Sequence, residues 1–231
     1  MSGASVRNLI LSEIPDQEYN LIRPHLDPIT TKEYQSIHEP GDKLEYAYFP
    51  NRGMVCVVAE TGDGKTLEVG LVTRAGFAGE SLAVGQDWCP YRLITQPAIE
   101  GLRIRAEALL KDLPEAPDLR LRLARYVKFQ SLRTSQIAVC NRFHEIEQRL
   151  ARWLLMSQDR VGSPILPFTH EFLSSMLGTG RASVTVAAGV LQKSGLIRYQ
   201  HGAVKVLNRK GLEESVCECY EAIKQFEAAG F

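Results

Sequence analysis

Residues 169–207 constrain what this chain can fold into more than any other stretch. Thr169 is placed to cap a helix: its hydroxyl can accept a hydrogen bond from an orphan N–H of the first turn, and Glu171 suits the positive helix end. Phe172, Leu173, Met176 and Leu177 recur at helical spacing and give one buried face. Gly178-Thr179-Gly180 ends that helix, because glycine takes the positive-φ conformation a sharp turn needs. A second helix follows, with Val184, Ala187, Ala188 and Leu191 as its core stripe and Gly195 as its terminator. Residues 196–199 and 203–206 then read as paired strands about Gln200-His201-Gly202. Two short helices on a glycine turn, closed by a hairpin, spell a winged helix-turn-helix. The bland alternative is an αα-hairpin and a β-hairpin that only pack a core. Small residues weigh against it: Ala182, Thr185, Val186 and Gly189 lie opposite the core stripe, where a solvated helix carries Glu, Lys or Gln. A slim face suits a helix that sinks into a groove of DNA.

Charge points the same way. The 231-residue chain is neutral overall, but residues 1–114 carry a net −5, 115–140 a net +3, 141–210 a net +6 and 211–231 a net −4. A basic block over the helix-turn-helix is the footprint phosphate binding needs, although a solvated basic face would carry the same charge. No apolar run approaches the roughly 20 residues of a membrane span, and the first ten residues lack a signal-peptide apolar core. A cytoplasmic protein with no membrane partner is therefore expected. The five cysteines (Cys56, Cys89, Cys140, Cys217, Cys219) form no CxxC pair. Cys217 and Cys219 sit two apart on a stretch that reads as helical, so they should point to different sides. The five histidines (His25, His38, His144, His170, His201) show no metal-ligand spacing. The expectation is no metal site, no disulfide framework and a reducing compartment. No catalytic constellation stands out either, so no catalytic residue is assigned.

Along the chain, residues 5–27 hold an early helical stretch interrupted by Pro15. From Ile29 to about Ile104 short alternating runs are punctuated by Pro40-Gly41-Asp42, Pro50-Asn51-Arg52-Gly53, Gly62-Asp63-Gly64 and Arg74-Ala75-Gly76, a spacing that suggests a small β-roll or barrel. Residues 59–66 match a relaxed phosphate-loop pattern, but that mechanism needs a helix after the loop, and residues 67–72 continue as a strand. Gly62-Asp63-Gly64 therefore reads as a hairpin turn. A long helix runs from residues 114–117 to about Cys140. Leu119, Leu123, Tyr126, Gln130, Arg133, Ile137 and Cys140 form a four–three seam on it, which predicts homodimerisation along residues 118–140. A single amphipathic helix packed on its own domain would carry the same pattern. Asn141-Arg142 reads as a joint, residues 144–158 as another amphipathic helix, and residues 212–226 as a closing acidic helix. The fold class is α+β, with a sensor β-roll at 1–114, a dimerisation helix at 115–141 and a winged helix-turn-helix at 142–231. A DNA-binding regulator is favoured over a sensor module acting through protein contacts and over a cupin-like enzyme.

The order β-roll, long helix, winged helix-turn-helix resembles the Crp/Fnr superfamily of bacterial transcription regulators. The likeness rests on Gly76-Phe77-Ala78-Gly79-Glu80, on Gly178-x-x-Arg181-x-x-Val184 and on Gly195-Leu196-Ile197 before a glycine-turned hairpin. It implies a cyclic-nucleotide-binding-type jelly roll, a homodimer, and double-stranded DNA and RNA polymerase as partners. It also implies an effector pocket near Gly79, Glu80, Thr134 and Ser135. Cyclic-AMP-responsive members follow Gly-Glu with an Arg-Ser pair about ten residues on, where this chain has Trp88-Cys89-Pro90-Tyr91 and a displaced Arg92. A buried phosphate without its guanidinium is costly, so a sensor that does not use cyclic AMP is expected. The N-terminus lacks the cysteine cluster of the iron–sulfur members, and His25 and His38 stand alone, so no cofactor is assigned. By the same likeness Arg181 reads guanine, while Ala182 and Val186 stand where the family usually has Glu and Arg. Ser183 and Thr185 are short donors, and Thr169, His170 and Lys193 hold the DNA backbone. The expected site is a palindrome with half-sites about one helical turn apart and a half-site other than TGTGA or TTGAT.

Overall fold

A buried carboxylate starts the longest helix of the chain. Helices α1 (Leu9–Ser12) and α2 (Asp16–Ile22) are separated at Pro15, as the sequence predicts. From α2, buried Glu18 accepts the backbone N–H groups of Asp118 (3.0 Å) and Leu119 (2.9 Å). Those are orphan donors at the positive end of α4 (Pro117–Phe143), whose first position is taken by proline. The computed structural model describes residues 6–230, so Ser5, where the early helical stretch is expected to begin, lies outside them.

Between α2 and α4 the chain forms two antiparallel sheets. One has the order β1 (Leu26–Thr30), β7 (Glu100–Arg105), β3 (Tyr46–Arg52). The other has the order β2 (Gln35–His38), β6 (Arg92–Thr95), β4 (Val55–Glu60), β5 (Thr66–Val72). Helix α3 (Ala106–Asp112) follows β7. Thr61 and Lys65 close the β4–β5 hairpin over Gly62-Asp63-Gly64, with Thr61 N–H on the Lys65 carbonyl at 2.9 Å, so the phosphate-loop match is a strand–turn–strand. Pro50-Asn51-Arg52 is not a turn: β3 runs through it and bends at Gly53, φ 79°. Phe49, Phe77 and Tyr126 form a ring stack at 5.9 and 5.5 Å. Gly76 is required beneath it, since a Cβ there would fall 2.1 Å from the Tyr126 ring.

The chain divides into two compact units, one reaching to Ala59 and including Gly70–Ser131, the other made of Glu60–Val69 and Leu132–Ala229. The second unit contains α5 (Ile146–Val161), β8 (Ile165–Leu166), α6 (His170–Leu177), α7 (Arg181–Lys193), β9 (Ile197–Gln200), β10 (Ala203–Val206), α8 (Arg209–Ser215) and α9 (Cys219–Ala228). The break before α5 falls at His144–Glu145 rather than at Asn141-Arg142, and Glu145 with Gln148 forms a capping box there. The closing helix is two helices: Val216 is extended (φ −80°, ψ 157°), so Cys217 lies on a link and Cys219 opens α9, and both pack with Cys140. Trp153 of α5 packs edge-on against Phe168 (4.8 Å) and Phe172 (5.9 Å) at the centre of this core.

The four–three seam of α4 is satisfied within the chain. Leu119, Leu123, Tyr126, Ile137 and Cys140 are all buried by the chain itself, so the self-packed reading holds for these residues. The opposite face leaves Leu121 and Val139 exposed at 47% and 43%. Mid-seam, the Arg133 guanidinium donates to Glu68 of β5 at 2.8 Å, with side-chain exposures of 0% and 1%. Glu68→Ala should strand a buried cation and destabilise this unit by about 3–5 kcal/mol, whereas Glu68→Met with Arg133→Leu should cost far less. Urea midpoints of the three proteins check this; equal losses in single and double variants would contradict it.

Candidate nucleic-acid interface

The helix-turn-helix forms where the local signals place it. The Thr169 hydroxyl accepts the Phe172 N–H at 3.1 Å, and Gly178 takes φ 58° after α6. A side chain at Gly178 would also meet the Leu67 methyl at 2.9 Å. Helix α7 starts at Arg181 and buries Val184, Ala187, Ala188 and Leu191. The wing strands pair Ala203 with Gln200 and Val206 with Ile197, and His201 (φ 51°) with Gly202 (φ 75°) makes the tight turn. Strand β8, unforeseen in the sequence, adds to β10 as a third strand.

Arg181, Ala182, Ser183, Thr185, Val186 and Lys193 are all exposed on α7. Val186 is 64% exposed and Val190 44%, an apolar strip on a helix whose only charges are Arg181 and Lys193. Arg198 and Lys205, cross-strand partners in the wing, are exposed as well. Such a face can enter the major groove, offer one guanidinium to a base edge, and leave phosphates to the flanking cations.

His170 does something the sequence does not reveal. Its ring stacks on Tyr199 of the wing (centroids 3.9 Å, planes 26° apart), and its Nδ1 lies 3.0 Å from the Thr185 hydroxyl. The His170 N–H donates to the Tyr199 phenol at 3.1 Å, and the Tyr199 N–H to Gln192 Oε1 at 2.8 Å. Burial first, and then the Arg181 charge, hold the imidazole below its usual pKa, so it is neutral at pH 7. His170 thus joins α6, α7 and β9 as a positioning residue, and Thr185 is partly engaged by it. Tyr199 and Gln192 carry no local signal that would have found them.

The residues matched to an effector pocket fall in both units. Gly79 (φ 110°) turns the chain into Glu80, whose Oε1 lies 3.4 Å from Gln130 Nε2 and whose Oε2 accepts the Gly79 N–H at 3.3 Å. In the other unit, Thr134 donates to the Val69 carbonyl at 2.8 Å, and both Thr134 and Ser135 are exposed. Arg92 is committed to Glu39 at 2.8 Å, while burial pushes the Cys89 thiol up.

Comparison with known proteins agrees with this geometry. Residues 148–215 match the Crp-like helix-turn-helix domain family. The transcriptional regulator SdrP of Thermus thermophilus is 30% identical over 194 residues, spanning 78% of this chain and 87% of that protein. Among solved structures, a crp/fnr-family regulator of Eubacterium rectale superposes with a TM-score of 0.71 at 16% identity, over 90% of this chain and 97% of that one. The c-di-GMP-responsive global regulator CLP of Xanthomonas campestris gives 0.70 at 20% identity, over 83% and 99%. Among the described residues no helix is long and apolar enough to cross a membrane. On the strength of the SdrP relationship and of the winged helix-turn-helix itself, the chain belongs to the Crp/Fnr family of transcription regulators.

Proposed function

We propose that this regulator is a cytoplasmic homodimer that reads a palindromic double-stranded site with α7 of each copy, does not use cyclic AMP, and acts on transcription through contact with RNA polymerase. The observation that carries the reading is the exposed face of α7: slim, free of acidic residues, headed by Arg181 and flanked by Lys193, Arg198 and Lys205. Arg181 supplies the bidentate guanine contact, worth about 1–3 kcal/mol of discrimination. Ala182 and Val186 lie against thymine methyls, and Ser183 donates to a phosphate or base. Lys193 holds the backbone, with Thr169 at the cap of α6. Selection from a random DNA pool tests this: a palindrome with half-sites one helical turn apart supports it, and recovery of TGTGA or TTGAT half-sites counts against it. Arg181→Ala should flatten preference at one symmetric guanine pair, whereas Lys193→Ala should weaken all sequences alike and make the salt dependence shallower by about one unit of slope.

The dimer contact is assigned to the exposed face of α4 rather than to its buried seam, because Leu121 and Val139 have no covering within the chain. Leu121→Glu with Val139→Glu should give folded monomers in sedimentation, with affinity for the full palindrome reduced roughly 10²–10⁴-fold by loss of the tethered second contact. A monomeric wild type at micromolar concentration would sink this assignment.

Glu80 remains for a ribose-type hydroxyl, but no guanidinium follows it at the family's Arg-Ser place, and Arg92 is engaged by Glu39. Titration calorimetry with cyclic AMP should show no micromolar binding, and DNA affinity should not change when it is added. A micromolar isotherm would overturn this part of the reading.

A further inference from the structure

Cys140 in the last turn of α4 and His144 just past its end stand one helical turn apart, and Cys217 on the link and Cys219 at the start of α9 flank Glu218. The His144 N–H donates to the Cys140 carbonyl at 3.1 Å, which continues the helical ladder and puts both side chains on one face. Every pair of the four potential ligand atoms lies within 4.8 Å. Cys140 Sγ and Cys217 Sγ are 3.6 Å apart, as are Cys219 Sγ and His144 Nδ1. We propose that Cys140, His144, Cys217 and Cys219 form a mononuclear Cys3His site for a soft divalent metal ion, zinc being the ion this donor set selects.

The distances favour one ion over the other fates of clustered thiols. With Zn–S near 2.3 Å and Zn–N near 2.0–2.1 Å, a tetrahedron has S–S edges of roughly 3.8 Å and S–N edges of roughly 3.5 Å. The two 3.6 Å separations fall on those edges. A disulfide would bring two sulfurs to about 2.05 Å, and all five cysteines are free. An iron–sulfur cluster must fit several irons and sulfides between its thiolates, for which ligand atoms within 4.8 Å of one another leave no room.

The surroundings point independently to a bound cation with thiolate ligands. His144 Nε2 lies 3.2 Å from Glu218 Oε1, the carboxylate–histidine arrangement that fixes the tautomer and turns the Nδ1 lone pair toward a metal. Arg152 Nε donates to Cys140 Sγ at 3.2 Å, and Gln136 Nε2 to Cys219 Sγ at 3.1 Å. Arg152 is buried, and among the described residues no carboxylate pairs with it. A buried guanidinium without a counter-charge is costly. Three thiolates and a neutral imidazole on a divalent ion carry one net negative charge, which is the charge Arg152 needs. Thiol protons leave as the ion enters, and the α8–α9 link becomes pinned to the end of α4, directly before α5.

The test uses full-length protein purified under reducing conditions without a polyhistidine tag or chelator. Elemental analysis should find about one zinc per chain, released when the thiols are titrated with a mercurial. Cobalt(II) in its place should give the intense visible bands of a tetrahedral thiolate complex. Cys217→Ser with Cys219→Ser should abolish both signals, and Cys56→Ser should keep them. Glu218→Gln, which leaves every ligand in place, should weaken zinc about 10–100-fold in competition with a chelating dye. The proposal is overturned if the wild type takes up no stoichiometric zinc or cobalt after anaerobic reconstitution, or if its cobalt spectrum lacks thiolate character. It is equally overturned by iron–sulfur absorption, by a Cys140–Cys217 disulfide in the reduced preparation, or by a Cys217/Cys219 double variant that keeps its metal.

Discussion

The ion pair between Arg133 and Glu68 is the constraint around which the second unit is arranged. Both side chains are sealed from solvent, 2.8 Å apart, midway along the buried seam of α4. Burying two charges costs several kcal/mol per ion before their attraction returns it, so the pair adds little net stability. What it adds is register. Sliding α4 along β5 by one residue would leave a carboxylate and a guanidinium each facing hydrocarbon, and Thr134 would lose the Val69 carbonyl beside them. The hairpin that bears Glu68 and Val69 is thereby fixed to the same helix that, eleven residues on, presents His144 at its end.

How much of this was legible in the sequence depends on the range of the interaction. The helix-turn-helix was legible because its signals are local: a cap three residues from the N–H it accepts, a glycine at positive φ, a short glycine-containing wing turn. The β-roll was legible for the same reason, since its hairpins announce themselves by glycine and alternation. The α4 seam was half legible. A four–three repeat says that one face is covered but not by what, and here the chain itself buries Leu123, Tyr126 and Ile137. The Glu18 cap spans a hundred residues, the His170–Tyr199 stack twenty-nine, and Cys140 to Cys217 seventy-seven. No spacing rule reaches those. A helical period does not carry through Val216, where the backbone opens, so Cys217 and Cys219 do not point to different sides as the periodicity predicts.

The recognition helix is preorganised from behind. Thr185, His170, Tyr199 and Gln192 form a continuous set of contacts from α7 through the start of α6 to the wing and back to α7. Burial first, and then the Arg181 charge, favour the neutral ring of His170 in that set. Fixing α7 against the wing before DNA arrives lowers the ordering cost of binding, because fewer side chains and loops remain to be immobilised.

The division of labour at the proposed interface follows from what α7 lacks. On the proposed reading, with Ala182 and Val186 in place of hydrogen-bonding readers, direct readout would fall on one guanidinium per copy and on methyl contacts, which are weaker than a bidentate pair. In the proposed dimer, specificity would lean on symmetry, with two Arg181 side chains one helical turn apart, and on the deformability of the intervening bases. Affinity would then lean on phosphates, for which the exposed Lys193, Arg198 and Lys205 are the available cations. A reader of this kind tolerates variation at most base positions but not a change in half-site spacing.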